Sequence, residues 1–137
     1  MFDLSGKRAL VTGASGGIGA AIARGLHAQG AAVVLAGRRR EALDELAADL
    51  GERCAVLTGD IADAAAAEAL VAAAEPVDIL VNNAGITRDM LALRLKDADW
   101  QAVIDTNLGA AFRLSRAALR GMVKRRWGRI VNITSIV

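Results

Sequence analysis

The chain has no tyrosine, one proline, one cysteine and one histidine in 137 residues, and aromatic residues make up 3% of it. Each scarcity excludes something. A single cysteine, Cys54, permits no internal disulfide, suits a reducing compartment, and reads as a small buried hydrophobe. His27 reads as a helix-surface residue, and no His, Cys or carboxylate cluster has metal-ligand spacing, so no metal site is expected. Few aromatic rings, scattered Lys and Arg, and a net charge of only +2 argue against a nucleic-acid binder that stacks bases. No apolar run approaches membrane-spanning length, and residues 1–7 do not form a signal peptide. The expectation is a soluble cytoplasmic protein without nucleic-acid or membrane partners.

Hydrophobic residues are plentiful at 54%, although alanine, which buries little area, supplies much of that share. They fall in alternating patterns. Short apolar runs at 9–11, 31–36, 54–57, 77–81 and 129–133 read as buried strands. Helical spacing follows in 20–26, in 40–50 with Gly51 as a stop, in the alanine-rich 62–75 ended by Pro76, and in a long stretch over 99–125. Repeated strand–helix–strand alternation predicts an α/β domain over residues 1–137, a parallel sheet covered by helices on both faces. Ligands of such sheets bind beyond the carboxyl ends of the strands, where strand order reverses. The polar clusters fall at those ends: residues 12–19, 37–40, Asp60, Asn82-Asn83 and Thr134-Ser135.

Residues 12–19 read Thr-Gly-Ala-Ser-Gly-Gly-Ile-Gly between the first strand and the first helix. Strand, glycine turn and helix N-terminus together suit an anion, because free backbone N–H groups and the positive end of the helix dipole converge there. Glycine lets a pyrophosphate approach the backbone closely. The spacing is Gly-x-x-x-Gly-x-Gly rather than G-x-G-x-x-G, and no Gly-Lys-Ser/Thr follows, which argues against a nucleoside-triphosphate P-loop. An ordinary strand-to-helix turn is the competing reading.

Where an acidic residue would accept hydrogen bonds from the ribose of NAD, this chain has Gly37 followed by Arg38, Arg39 and Arg40. Guanidinium at Arg38 favours a 2′-phosphate, hence NADP over NAD, while Arg39 and Arg40 read as a solvated start to the next helix. Asp60 either accepts from an adenine amino group or makes a turn or helix cap. Asn82-Asn83-Ala84-Gly85 either bridges strands beside a cofactor or forms an Asx turn. On the long helix Asn107 falls in an apolar stripe with Trp100, Val103, Ile104, Ala111, Leu114 and Ala118. It is therefore expected to face the core, as a structural bridge or part of a polar relay. Ser135 either hydrogen-bonds a substrate carbonyl or starts a turn, and Lys124-Arg125-Arg126 reads as a cationic last helical turn.

Taken in order, Thr12-Gly13, Gly17-Ile18-Gly19, Asp60, Asn82-Asn83-Ala84-Gly85, Asn107 and Ser135 resemble the short-chain dehydrogenase/reductase family along the whole chain. Residues 82–89 and 128–135 resemble its 3-oxoacyl-[acyl-carrier-protein] reductase branch, with nodulation protein G-like members an equally good match. The resemblance implies a Rossmann-like doubly wound sheet, five of the family's usual seven strands being present. It also implies NADPH-dependent reduction of a 3-oxoacyl thioester to the 3-hydroxyacyl form, in fatty acid or nodulation-factor acyl synthesis. The implied cofactor set is Gly13, Ser15, Gly16, Gly17, Ile18, Gly19, Arg38, Asp60, Ile61, Asn83, Ala84 and Gly85. Ser135 would hold the substrate carbonyl, Asn107 would anchor a water of the proton relay, and Arg126 would dock an acidic acyl carrier protein. Gly16 stands where many NADP-specific relatives have a basic residue, leaving that preference to Arg38. Full-length relatives are homotetramers.

One departure is large. The family's Tyr-x-x-x-Lys lies beyond the serine, and no tyrosine is present to supply the acid, whose positioned proton transfer is typically worth about 10²–10⁴-fold. The chain is expected to be the N-terminal portion of a longer reductase, without turnover by itself. The alternative is a non-catalytic dinucleotide-binding or partner-binding module.

Overall fold

The structure, a computed structural model, describes residues 2–136; Met1 and Val137, the ends of the expected 1–137 domain, lie outside the described residues. Five strands, β1 (Arg8–Thr12), β2 (Ala32–Gly37), β3 (Cys54–Thr58), β4 (Ile79–Asn82) and β5 (Arg129–Asn132), form one sheet in the order β3-β2-β1-β4-β5. All four pairings are parallel. The helices are α1 (Gly17–Ala28), α2 (Arg40–Leu50), α3 (Ala64–Ala74), α4 (Asp97–Ile104) and α5 (Ala110–Arg125), with a π-turn at Asp105–Gly109 and a 3₁₀ turn at Ala92–Arg94. This is the Rossmann-like doubly wound arrangement.

Alternation along the strands makes the two layers. In register, Leu10 lies beside Val34 and Leu80, and these share one core with Leu70 and Val71 of α3 and Leu114, Ala118 and Met122 of α5. Their neighbours Ala9, Val11, Val33, Leu35, Ile79 and Val81 point the other way, into a second core with Ala23 of α1 and Leu43 and Leu46 of α2. Because side chains alternate at every residue of a strand, a fully apolar run serves both cores at once. Strand order runs outward from β1 to β3 and then jumps to β4 on the other side of β1. The reversal therefore falls between β1 and β4.

Sequence signals set most ends. Gly51, at φ +74°, terminates α2 where its left-handed backbone suits glycine. The alanine-rich helix begins two residues later than expected because Asp63 caps it, its carboxylate accepting the Ala66 N–H at 2.7 Å. Asp63→Ala is expected to cost about 1 kcal/mol, read as a lower denaturant midpoint at unchanged m-value.

The long helix departs from expectation. Leu114 and Ala118 of the projected stripe are buried as expected, but Ala110 and Met122 complete the buried face, and the π-turn breaks the α-helical phase ahead of them. Trp100 is 58% exposed, and Asn107 is exposed rather than core-facing. Straight α-helical phase carried across residues 105–109 is what misplaced both.

At the amino-terminal edge of the sheet, Asp78 is buried beneath Arg125. Arg125 Nε lies 3.4 Å from Asp78 Oδ1, its Nη1 lies 3.4 Å from Glu75 Oε2, and its Nη2 donates to the Val77 carbonyl at 2.7 Å. Asp78 Oδ2 accepts the Arg8 N–H at 2.9 Å. Arg126, by contrast, is exposed and closes α5 in the left-handed conformation at φ +56°. No helix among the described residues is long and apolar enough to cross a membrane.

Candidate functional site

At the carboxyl ends of the strands, over the β1/β4 reversal, lies a cleft of about 720 Å³. Its floor is the glycine loop. One wall comes from the ends of β2 and β3, with Gly37, Arg38 and Arg39, then Gly59, Asp60 and Ile61. The other comes from the end of β4 and the π-turn, with Asn83, Ala84, Gly85, Ile86 and Thr106. All twelve residues expected to hold a cofactor line this one cleft.

The floor is built by close packing. Gly13 takes φ +63°, and a Cβ there would sit 2.8 Å from the Ala84 Cα. Thr12, fully buried, is the hub: its hydroxyl donates to the Val81 carbonyl at 3.2 Å and accepts the N–H groups of Asn83 and Ala84 at 3.1 and 3.2 Å. Asn83 returns the bridge, its Nδ2 donating to the carbonyls of Thr12 and Gly13. These bonds hold the loop after β4 against the loop after β1. The first turn of α1 lines the same cleft, and no side chain among the described residues caps it there. Gly16 provides no side-chain cap, no acid lies in the first turn, and a Cβ at Gly17 would meet no protein atom within 4 Å. The first N–H groups of a helix have no intrahelical partner, so this end presents donors and positive potential to an anion.

The walls carry the charge. Arg38 is exposed at the mouth, with no hydrogen bond or ion pair among the described residues. Arg39 turns back, its Nη2 donating to the Ser15 carbonyl at 3.0 Å. Arg40 is taken up by Asp44 one turn along α2. Asp60 makes the turn that one of its two readings described: Oδ1 accepts the Ala62 N–H at 3.1 Å, and its backbone carbonyl accepts that of Asp63. It nevertheless faces the cleft.

Asn107 clamps the opposite wall. Its Oδ1 accepts the Ile86 N–H at 2.8 Å and its Nδ2 donates to the Ile86 carbonyl at 2.9 Å, so an exposed amide finds the partners that burial was expected to demand. Gly85 packs directly against this amide, a Cβ there falling in ordinary van der Waals contact with Asn107 Oδ1 at 3.4 Å. Neither Asn107 nor Ser135 is part of the lining. Ser135 is exposed, three residues beyond β5 on the far side of β4. Arg126 stands at the opposite edge of the sheet from the cleft.

Seven lining residues lie outside the expected cofactor set, Thr12, Arg39 and Thr106 among them. Thr12 had a signal: a lone hydroxyl closing an apolar strand beside a glycine. Arg39 was hidden in a run of three arginines, and Thr106 had no signal because the π-turn aims it. Asn82 matters as well. Buried at the end of β4, it donates through Nδ2 to Ser115 Oγ and Asn132 Oδ1, and its Oδ1 has no partner among the described residues. Away from the site, partial burial pushes the Cys54 thiol up from its ordinary value, which favours the protonated form.

A five-stranded parallel sheet with an uncapped, glycine-started helix at its reversal point defines a Rossmann-like α/β class of protein. Residues 7–137 match the family model for short chain dehydrogenase, and the chain belongs to that family. It is 55% identical over 141 residues to nodulation protein G of Rhizobium sp. (strain N33), covering 100% of this chain and 58% of that protein. It is 50% identical over 137 residues to 3-oxoacyl-[acyl-carrier-protein] reductase FabG of Rickettsia bellii (strain RML369-C), covering 100% of this chain and 57% of that one. Among solved structures, it is similar to a 3-oxoacyl (acyl-carrier-protein) reductase from Agrobacterium tumefaciens C58 with NADP bound. There the TM-score is 0.92 and the identity 40%, over 98% of this chain and 55% of the other. The chain thus spans a little over half the length of the relatives it matches.

Proposed function

We propose that residues 1–137 are the cofactor-binding domain of a longer NADPH-dependent reductase acting on a 3-oxoacyl thioester carried by an acyl carrier protein. The observation that carries this reading is the uncapped α1 N-terminus facing the cleft beside Arg38, with glycine and no acid at the end of β2. The relatives support the substrate class, being reductases of that kind or nodulation proteins G by name.

The residues present fit such a cofactor. The N–H groups of Gly17, Ile18 and Gly19 would take the diphosphate, with Gly13, Ser15 and Gly16 forming the turn beneath it. Arg38 would take the 2′-phosphate by charge-assisted hydrogen bonds. Asp60 retains acceptor capacity for an adenine amino group, and Ile61 offers an apolar face beside it. Asn83, Ala84 and Gly85 would wall the cofactor's other half. When bound, NADPH supplies a hydride. Ser135 would donate its hydroxyl to the substrate carbonyl oxygen. Asn107 would anchor a water of the proton relay, and with both ends of its amide on Ile86 it fixes that wall against the π-turn. Arg126, exposed at the other edge, would meet the acidic carrier protein.

Titration of the 137-residue chain should show NADPH binding at least about tenfold more tightly than NADH, and Arg38→Ala should erase most of that difference. Equal affinities, or retention of the preference in Arg38→Ala, would count against the assignment.

A further inference from the structure

Arg113 lies on α5 just beyond the π-turn, and its side chain is only a quarter exposed. It is not part of the cleft lining. Its Nη1 donates to the Ala62 carbonyl at 3.1 Å, and its Nη2 lies 3.8 Å from Asp105 Oδ1, the oxygen that also accepts from Gln101 Nε2 at 3.1 Å. Each end of this connection leads to a different wall. Ala62 closes the turn that presents Gly59, Asp60 and Ile61 to the cleft. Asp105 opens the π-turn that presents Thr106 and carries Asn107 to Ile86. The guanidinium therefore fastens two walls that approach the cleft from opposite sides of the sheet's reversal point.

Gly109 makes room for it. A Cβ at Gly109 would lie 3.2 Å from Arg113 Nη1 and 3.4 Å from Cζ, while its backbone φ of −59° is ordinary for a helix. A larger residue there would press on the Arg113 guanidinium, which would have to give by a few tenths of an ångström. Glycine is a poorer helix former than alanine, and the fold-back of Arg113 accounts for its presence here.

We propose that Arg113 is a positioning residue for the nucleotide. It holds the Gly59–Ile61 wall at a set distance from the π-turn, and so tunes affinity for the adenine end of a dinucleotide that it does not touch. This rests on the dinucleotide reading above. Loss of the fork leaves the Ala62 carbonyl untied from α5 and lets the Asp60 turn relax, whereas the Asn107–Ile86 clamp on the other wall stays intact.

The test is calorimetric titration of the full 137-residue chain with NADPH and, separately, adenosine 2′,5′-bisphosphate. Arg113→Met should weaken both ligands by about threefold to tenfold, the range for a residue coupled to a site without contact. Arg116→Met removes the same charge one turn away, from a guanidinium paired with Glu68, and should leave both affinities unchanged. Amide exchange at Ala62 and Asp63 should quicken in Arg113→Met before any ligand is added. Arg113→Lys, which keeps the charge but not the fork, should show the same changes to a smaller degree, and it carries the test if the methionine variant does not fold. Unchanged affinities in Arg113→Met, or an equal loss in Arg116→Met, overturn the proposal while leaving the dinucleotide reading in place. Failure of the unsubstituted chain to bind either ligand overturns both.

Discussion

Gly19→Ala is expected to destabilise the fold by about 2–3 kcal/mol and to abolish nucleotide binding together with it. Gly19 is buried in the first turn of α1, directly over the Gly13 turn. An added Cβ would overlap the Gly13 carbonyl oxygen, and would lie 2.6 Å from Asn83 Nδ2 and 2.8 Å from the Gly13 carbonyl carbon. Two of these three atoms are backbone at the end of a central strand, so no rotamer change relieves the overlap. Only a shift of α1 away from β1 does. That shift breaks the Asn83 bonds to the carbonyls of Thr12 and Gly13, which tie the loops after β4 and β1 together. Helix propensity works in the opposite direction, favouring alanine by about 0.8–1.0 kcal/mol, so steric overlap decides the sign. Gly25→Ala, in the same helix with no atom within 4 Å of the new Cβ, should instead stabilise by about 0.5–1 kcal/mol. Denaturant unfolding of the two variants, with NADPH titration, checks the contrast. A Gly19→Ala chain as stable as the unsubstituted one would show that the glycine loop is not packed as described.

Arg125→Met should cost about 2–3 kcal/mol, and should do so without changing nucleotide affinity. The buried Asp78 carboxylate would lose its cation, and the buried Val77 carbonyl would lose its donor. Removing one partner of a buried pair is more damaging than the pair is stabilising, because the remaining charge stays out of water. Arg125 is itself a third exposed, which places the expected cost below the largest values for fully buried pairs. Asp78→Asn on top of Arg125→Met should recover part of the loss by removing the stranded charge. The network sits at the amino-terminal edge of the sheet, opposite the cleft, so affinity and stability should separate here where they move together at Gly19. A drop in NADPH affinity at temperatures well below the melting point would contradict that separation.

The strands and the first three helices were legible because each carries its own local signal. Apolar runs of three to six residues bounded by glycine or polar clusters read as buried parallel strands, and α2 begins and ends at Arg40 and Leu50 as its leucine spacing and Gly51 required. Family motifs also marked the cleft residues, since each motif falls in a loop directly after a strand, and parallel strands deliver all such loops to one edge. Asn107 shows where this fails. Its residue type and spacing were visible, but the π-turn, which puts the residues before Ala110 out of phase with those after it, has no periodic signature in five residues. Arg39 and Arg113 failed for another reason: an arginine that reaches back to a carbonyl 24 or 51 residues away looks the same in a sequence as one that points into water.

Hydrophobic period, glycine placement and loop chemistry, all readable along the chain, were enough to establish a parallel α/β sheet with an anion-seeking helix end, because these depend on neighbours a few residues apart. Which arginine faces the cleft and which braces it, how Thr12 and Asn83 lock two loops together, and why Asn107 is satisfied while exposed were decided only when distant segments met. Hydrogen bonds of about 3 Å between residues some 20 to 70 positions apart are properties of packing, and no local pattern encodes them.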